Sequence, residues 1–406
     1  MTLIECFTEF HIDNIAACLR LQPEKLFLVG DVQEMGIPAE RYKKLLKYRS
    51  PRTKVMLCDV RKKDFGEIGT LLEELIHKET DCVIDLTGGD ETVIMAVGAV
   101  LARLETNARQ QLRVEKYDYT ADAVLDCIHD NQKLPYKPVK LTVEELVELH
   151  GGKVLPEPTD FLEGCSRKDI DGLWQIASRD PKSWNRVISY LTEFEKDTDV
   201  GTEVRKPLEE LRGIRDYEKK ETAVRELLAQ LEACGVIENH SSRAELHYTY
   251  VSPMLRYCTR KAGNVLEIKT LLEGRAVLDN GAPCFHDCRM GVRIDWDGIA
   301  HKLEDHTPDT QNEIDVVLMQ GMTPLFISCK NGNIGDEELY KLNTVAHRFG
   351  GPHARKMLIA TDLDRKSVSG NRSFMQRAWD MDIFLETDAA KLTREEWPQV
   401  FREAVV

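Results

Sequence analysis

Asp315 and Lys330 stand in the stretch NEIDVVLMQGMTPLFISCKNG, residues 312–332. The stretch reads as a β-hairpin, with the acid early in one strand and the lysine at the end of the next. Side chains alternate along a strand, so Glu313 and Asp315 share a face, as do Ser328 and Lys330. Hairpin pairing can bring the acid and the lysine together. A carboxylate placed there offers a hard oxygen to a divalent ion. Such an ion polarises a phosphate and lowers the pKa of a bound water. The lysine ammonium can orient that water or stabilise charge on a pentavalent phosphorus. This is the chemistry of phosphodiester hydrolysis, and it needs one acid more than the hairpin holds, because Ser328 stands two residues before Lys330.

The segment that follows offers the missing carboxylate. In GDEELYKLNTVAHRFGG, residues 335–351, positions 338, 342, 345 and 349 fall on one helical face as Glu, Leu, Val and Phe. Glu338 opens that apolar stripe, where a carboxylate needs a metal or a lysine as partner. The alternative is a boundary glutamate that reaches out to water. Glu337 lines up with Lys341, Thr344 and Arg348 on a solvated face, with an ion pair expected between Glu337 and Lys341. Asp336 is the expected N-cap and Gly350–Gly351 the stop. Upstream, GNVLE places Glu267 on a helix with Val265, Leu266, Leu271 and Leu272, either as a further site acid or as an exposed helix acid. IDWDG places Asp295 and Asp297 on one strand face, ranked behind Asp315.

A second set of candidates lies near the N-terminus. Apolar runs at 2–8, 25–31, 54–60 and 81–86 alternate with amphipathic segments, the pattern of a parallel, doubly wound sheet. Right-handed crossovers then gather the loops after the strands on one edge, where such sheets bind ligands. Thr8, Glu9 and Phe10 follow the first strand and Asp31 the second. Thr87, Gly88, Gly89, Asp90 and Glu91 link a buried strand to a very apolar helix. Glycines permit close approach and helix-start amides favour anions, although a tight strand–helix turn uses the same residues. Neither GxGxxG nor GxxxxGK[ST] occurs here, which disfavours NAD binding and ATP hydrolysis. Acids on this edge suit base or ribose hydroxyls better than phosphate.

These segments divide the chain into an α/β region at 1–140, a helical connector at 141–247 and a mixed α/β region at 248–406. The segment LPYKPVKL reads as the linker, and residues 217–240 read as a helix running into a wing, or as a plain helical connector. The 406 residues carry 42% hydrophobic side chains and a net charge of −14. That charge argues against a surface that grips nucleic acid all over, and leaves room for a local groove. No run approaches the ~18 apolar residues of a membrane span. The N-terminus lacks a basic leader, and eleven scattered cysteines read as reduced thiols, so a cytoplasmic protein is expected. CFHDC, residues 284–288, has no second ligand pair at zinc spacing.

Together the motifs resemble a known family. A helix bearing Glu267, the NEID…K hairpin and the helix bearing Glu338 are similar to the PD-(D/E)xK nuclease fold. In some branches of that superfamily the second acid moves from the strand to the next helix. The N-terminal sheet with DLTGGDE resembles a CARF domain, the cyclic oligoadenylate sensor of type III CRISPR antiviral systems. The resemblance covers both ends of the chain and implies a Rossmann-like CARF domain, a connector and a restriction-endonuclease-like domain. It implies Asp315 and Glu338 as metal ligands for Mg²⁺ or Mn²⁺, Lys330 as catalytic assistant and Glu267 as contributor. It implies that Thr8 to Phe10 and Thr87 to Glu91 face the activator, cyclic tetra-adenylate or cyclic hexa-adenylate, in a homodimer. DNA or RNA would be the substrate. Ser328 is the departure from the family pattern, and it keeps a second reading open: a ligand-responsive nucleic-acid-binding regulator on a degenerate nuclease fold.

Overall fold

The computed structural model describes all residues except 80, 106–111, 157–165, 197, 199–200, 300–309, 333, 364–367 and 406, and for 368–371 only the backbone. Five short runs at the N-terminus lie side by side as parallel strands: β1 (Thr2–Cys6), β2 (Lys25–Gly30), β3 (Lys54–Asp59), β4 (Cys82–Asp85) and β5 (Arg113–Asp118). Helices α1 (Asp13–Leu21), α2 (Val32–Arg49), α3 (Phe65–Lys78) and α4 (Glu91–Arg103) connect them. The strands read as apolar runs because both faces are covered. Leu3, Leu26 and Leu28 join one core, while Ile4, Phe27 and Val29 join another on the opposite face. Two antiparallel strands, β6 (Ala123–Asp126) and β7 (Gln132–Leu134), complete the order β3-β2-β1-β4-β5-β6-β7. The order reverses between β1 and β4, so the loops after those two strands form the switch-point crevice of a Rossmann-like sheet.

The expected boundary at residue 141 does not separate the sheets. Helix α5 (Val143–Leu149) opens on a capping box of Thr142 and Glu145, and β8 (Lys153–Val154) then pairs with β14 (Asp287–Asp295) at the edge of the C-terminal sheet. The connector proper holds α6 (Arg167–Arg179), α7 (Pro181–Phe194), β9 (Glu203–Pro207), α8 (Leu208–Leu211) and α9 (Tyr217–Ala233). Helix α9 runs into a two-strand wing, β10 (Ile237–Asn239) and β11 (Glu245–Tyr250), in a three-stranded sheet with β9.

The C-terminal part opens with α10 (Pro253–Arg260), α11 (Asn264–Ala276) and a small hairpin, β12 (Leu278–Asp279) with β13 (Ala282–Pro283). The hairpin read from the sequence is β15 (Gln311–Gln320) with β16 (Thr323–Lys330). Next come α12 (Asp336–Gly350), β17 (Arg355–Ala360), α13 (Val368–Asp380), β18 (Ile383–Glu386) and α14 (Trp397–Ala404). The sheet order is β18-β17-β16-β15-β14-β8, antiparallel on one side of β16 and parallel on the other. Among the described residues no helix is long and apolar enough to cross a membrane.

One apolar core serves both sheets. It runs from Leu3 and Leu28 through Leu141, Leu146 and Val147 to Val292, Phe326 and Phe349. Leu146 is fully buried in the middle of it. We therefore expect Leu146→Ala to cost about 2–5 kcal/mol, and probes in the two sheets to report one coincident denaturant transition. Chemical denaturation followed by separate fluorophores on the two sheets checks this.

Candidate active site and ligand edge

The pleat delivers the hairpin residues to one place. Lys330, the last residue of β16, extends Nζ to 3.5 Å from Asp315 Oδ2 and 3.1 Å from Glu338 Oε2. The β15–β16 ladder stops at Val316–Ile327, one step before Asp315. The Cys329 amide then donates to Asp315 Oδ2 at 2.6 Å, and the Ser328 hydroxyl lies 3.3 Å from the same oxygen. On β14, Gly291 has a φ of 59° and stands between the Met290–Val316 and Val292–Ile314 pairs, opposite Asp315. Only glycine takes that conformation cheaply, so the sheet is distorted where the acid leaves the ladder.

Helix α12 carries Glu338 as its sequence pattern predicts, above buried Leu342, Val345 and Phe349. Two details differ. Gly335 is the N-cap, and Asp336, inside the helix, pairs with Arg377 of α13. Lys341 bonds Glu338 at 3.0 Å rather than Glu337, because Glu338 lies within reach of two ammonium groups. Burial pushes the Glu338 carboxyl up, Lys341 and Lys330 pull it down, and the net is downward. Burial pushes the Lys330 ammonium down, and Asp315 and Glu338 more than offset it.

Glu267 lies in the first turn of α11 and faces the same cluster. Burial, then Asp315, then Glu313 raise its carboxyl to about 7, with Lys330 and Lys261 pulling the other way. Among the described residues its side chain makes no hydrogen bond or ion pair. Asp295, by contrast, is buried at the far end of β14 opposite Gln311, roughly 13 Å along the strand from the register position of Asp315. Asp297 sits beyond it in the following turn.

The fit to a divalent ion turns on which carboxylate oxygens are spare. Asp315 and Glu338, expected to share the ion, share the Lys330 ammonium. No group of three acids, histidines or cysteines is spaced to hold an ion among the described residues. Asp315 nevertheless disfavours the charge of Glu267, and a cation relieves such crowding of acids. These oxygen donors suit Mg²⁺ or Mn²⁺ rather than a soft metal. His286 of the CFHDC motif bonds the Leu141 carbonyl at 2.9 Å.

At the N-terminal sheet, the loop after β1 is held by Asn14, fully buried on α1. Its amide accepts from the Thr8 N–H at 2.8 Å and donates to the Thr8 carbonyl at 2.6 Å. The loop after β4 presses against it. A Cβ on Gly88 would come within 2.5 Å of the Thr8 side chain, and one on Gly89, at φ 120°, within 2.4 Å of Cys6 Cβ. Close approach of the two crevice loops is thus what the glycines permit.

Three expected ligand residues are used by the scaffold. Thr87 donates to Asp85 at 2.5 Å and accepts from the Tyr117 N–H at 2.9 Å. Asp31 caps α2 through the Gln33 N–H and Asp90 caps α4 through the Thr92 N–H, each at 2.8 Å. Thr8, Glu9, Phe10, the Gly88–Gly89 backbone and Glu91 remain at the open edge, with Glu9 and Glu91 exposed.

Sequence reading missed what lies beneath. Glu5, Asp85, Glu115 and Asp126 occupy one register row across β1, β4, β5 and β6. Arg20 and Arg113 pair with Glu115, while both Glu5 oxygens are buried without a hydrogen-bond partner. Burial and the neighbouring acids raise Glu5 strongly, and Asp85 is raised to about 7. It also missed Tyr119, whose hydroxyl bonds Asp13 at 2.6 Å and whose ring stacks on His353 with centroids 3.4 Å apart. His353 lies 3.5 Å from Asp13 in the turn directly after α12. Alternation could have flagged the acids on buried strands; no sequence signal joins residue 13 to 353.

The N-terminal Rossmann-like sheet, the connector and the mixed C-terminal sheet define a two-sheet α/β architecture. Over its whole length the chain is similar to the protein VC1899 from Vibrio cholerae, at 14% identity and a TM-score of 0.71, covering 97% of that chain. It is also similar over its whole length to Can2 from Sulfobacillus thermosulfidooxidans, solved in complex with cyclic tetra-adenylate, at 13% identity and a TM-score of 0.66, covering 99% of that chain. At such identities the likeness is one of fold. No protein-family model matches the chain, and no curated protein matches its sequence.

Asp85 gives a test of the acid row. Its carboxyl is raised from 3.8 to about 7, so the folded state binds the extra proton between those values. Stability from this group is therefore full below about 4 and falls as pH rises toward about 7. Asp85→Asn should flatten that stretch of the Tm-against-pH curve; an unchanged slope would show that Asp85 ionises normally.

Proposed function

We propose that this chain is a metal-dependent nuclease gated by a cyclic oligoadenylate. The observation that carries the reading is the Lys330 ammonium bridging Asp315 and Glu338, with Glu267 facing the same cluster. Asp315 and Glu267 would hold the ion, with Glu338 as the acid displaced from position 328 to the helix. When bound, the ion would neutralise charge on the scissile phosphate. Lys330, kept protonated by its two acids, places a positive charge where the phosphorane develops negative charge. Ionised Glu267 can accept the proton of an attacking water. Glu338 holds Lys330 in place and is held in turn by Lys341.

The open edge around Thr8, Glu9, Phe10, Gly88 and Gly89 is the activator site in this reading. The whole-chain likeness to Can2, and the two-fold symmetry that an even-membered ring shares with an isologous dimer, support cyclic tetra-adenylate bound between two copies. Helix α12 supports the gating. Glu338 stands at one end of it; the turn at the other end carries His353 against Asp13 and Tyr119 of the sensor sheet. Its fifteen residues span roughly 22 Å. The activator shifts the balance by binding one arrangement of these contacts better than the other.

A binding regulator is disfavoured by the connector itself. Helix α9, which precedes the wing, carries Glu218, Glu221, Glu226 and Glu232 against Lys219, Lys220 and Arg225, so it offers phosphates no excess of positive charge.

The test is cleavage of supercoiled plasmid, single-stranded DNA and RNA with Mg²⁺ or Mn²⁺, with and without cyclic tetra- and hexa-adenylate. We expect cleavage only with both metal and activator, lowered about 10²–10³-fold in Lys330→Ala and in Glu338→Ala. Activator-dependent nucleic-acid binding with no cleavage by the wild type would instead establish the regulator. His353→Ala should keep activator binding and lower the activated-to-basal ratio about fivefold or more, a loss of the size typical for coupling free energies.

A further inference from the structure

The nuclease reading uses residues of the C-terminal sheet and its two flanking helices. The connector meets that site around the Ala262 carbonyl. The turn Lys261–Ala262–Gly263 joins α10 to α11, and Glu267 follows within the first turn of α11. The Ala262 carbonyl accepts two hydrogen bonds. One comes from the indole Nε1 of Trp184 on α7, at 3.0 Å, and the other from the side-chain amide of Asn331, also at 3.0 Å. Asn331 is the residue directly after Lys330. The next residue on α7, Asn185, reaches the Asn331 carbonyl at 3.4 Å. Thr192, two turns along α7, bonds the Arg260 carbonyl at 3.0 Å.

The Ala262 carbonyl therefore ties three things together: the strand end that carries Lys330, the helix start that carries Glu267, and a helix of the connector. Trp184 is 3% exposed, so its bond is shielded from water. In an apolar surround a paired polar group holds its geometry firmly, since leaving it unpaired is costly. Nothing in the metal or phosphate chemistry requires an indole, and Trp184 touches none of the reacting groups.

We infer that Trp184 is a positioning residue of the nuclease site, setting through the Ala262 carbonyl where Glu267 stands relative to Asp315 and Lys330. The inference rests on the nuclease reading for its kinetic consequence. Its structural part stands without it. The connector is in this view a component of the active site and not a spacer, and a movement of α7 would move the acid.

Trp184→Phe tests it by removing the N–H while keeping a ring in the core. With metal and activator present, kcat should fall about ten- to a hundredfold with KM changed less than about twofold, as small misplacements of reacting groups do. The split between kcat and KM carries the decision. Asn331→Ala should lower kcat in the same way, and the double variant should lower it by less than the product of the two, because both donors serve one acceptor. Wild-type kcat in Trp184→Phe, with only Tm lowered, would overturn the inference and leave the nuclease reading standing. If the wild type cleaves nothing, the nuclease reading falls. Carbon-13 NMR at fixed pH then decides the structural part: a displaced Glu267 carboxyl resonance in Trp184→Phe supports it, and a change confined to the Ala262 carbonyl refutes it.

Discussion

The position of one ammonium group organises the C-terminal half. Lys330 can lie between Asp315 and Glu338 only if β16 ends there, β15 pairs in its observed register and α12 starts at residue 336. A one-residue slip of the hairpin would turn Asp315 to the opposite face. The apolar sides of the same elements enforce the register. Val317 and Phe326 belong to the core that faces α12, while Val316 and Ile327 belong to the core that faces α11. The charged site is thus a by-product of where the apolar residues must go.

The electrostatics of the two ends of the molecule differ in kind. Around Lys330 the charges nearly match, and the surplus acid is Glu267. Across the N-terminal sheet, four acids stand in one row with Arg20 and Arg113 as cations paired to it, and burial with the neighbouring acids raises Glu5 and Asp85. Asp85 braces Thr87 in the crevice loop through both its hydroxyl and its backbone N–H, so the protonation of the row bears on the shape of the crevice.

The two ends meet through packed elements. Helix α12 and the shared core around Leu146 and Phe349 leave little freedom for one sheet to move without the other. His11 and His150 sit ring to ring in this interface, and burial lowers them to about 3 and about 4, so both are neutral at physiological pH and add no charge to the seam.

The sequence by itself determined the elements and their faces. Period-2 and period-3.6 patterns gave the parallel N-terminal sheet, the 312–330 hairpin and the helix with Glu338 on its buried stripe, because burial of apolar side chains acts locally along a strand or a helix. The crevice loops followed from topology, since strand order fixes which chain ends meet. What only the tertiary structure decided were contacts between residues far apart in the chain. Residues 141–154 read as connector because two residues of β8 show no periodicity, yet they complete the C-terminal sheet. Thr87, Asp31 and Asp90 have the residue types of ligand contacts, but Asp85 and the amide ends of two helices claim them. The Trp184–Ala262–Asn331 tie and the Asp13–Tyr119–His353 contact join segments 69 to 340 residues apart. No local pattern encodes them, because their geometry exists only once the sheets have packed.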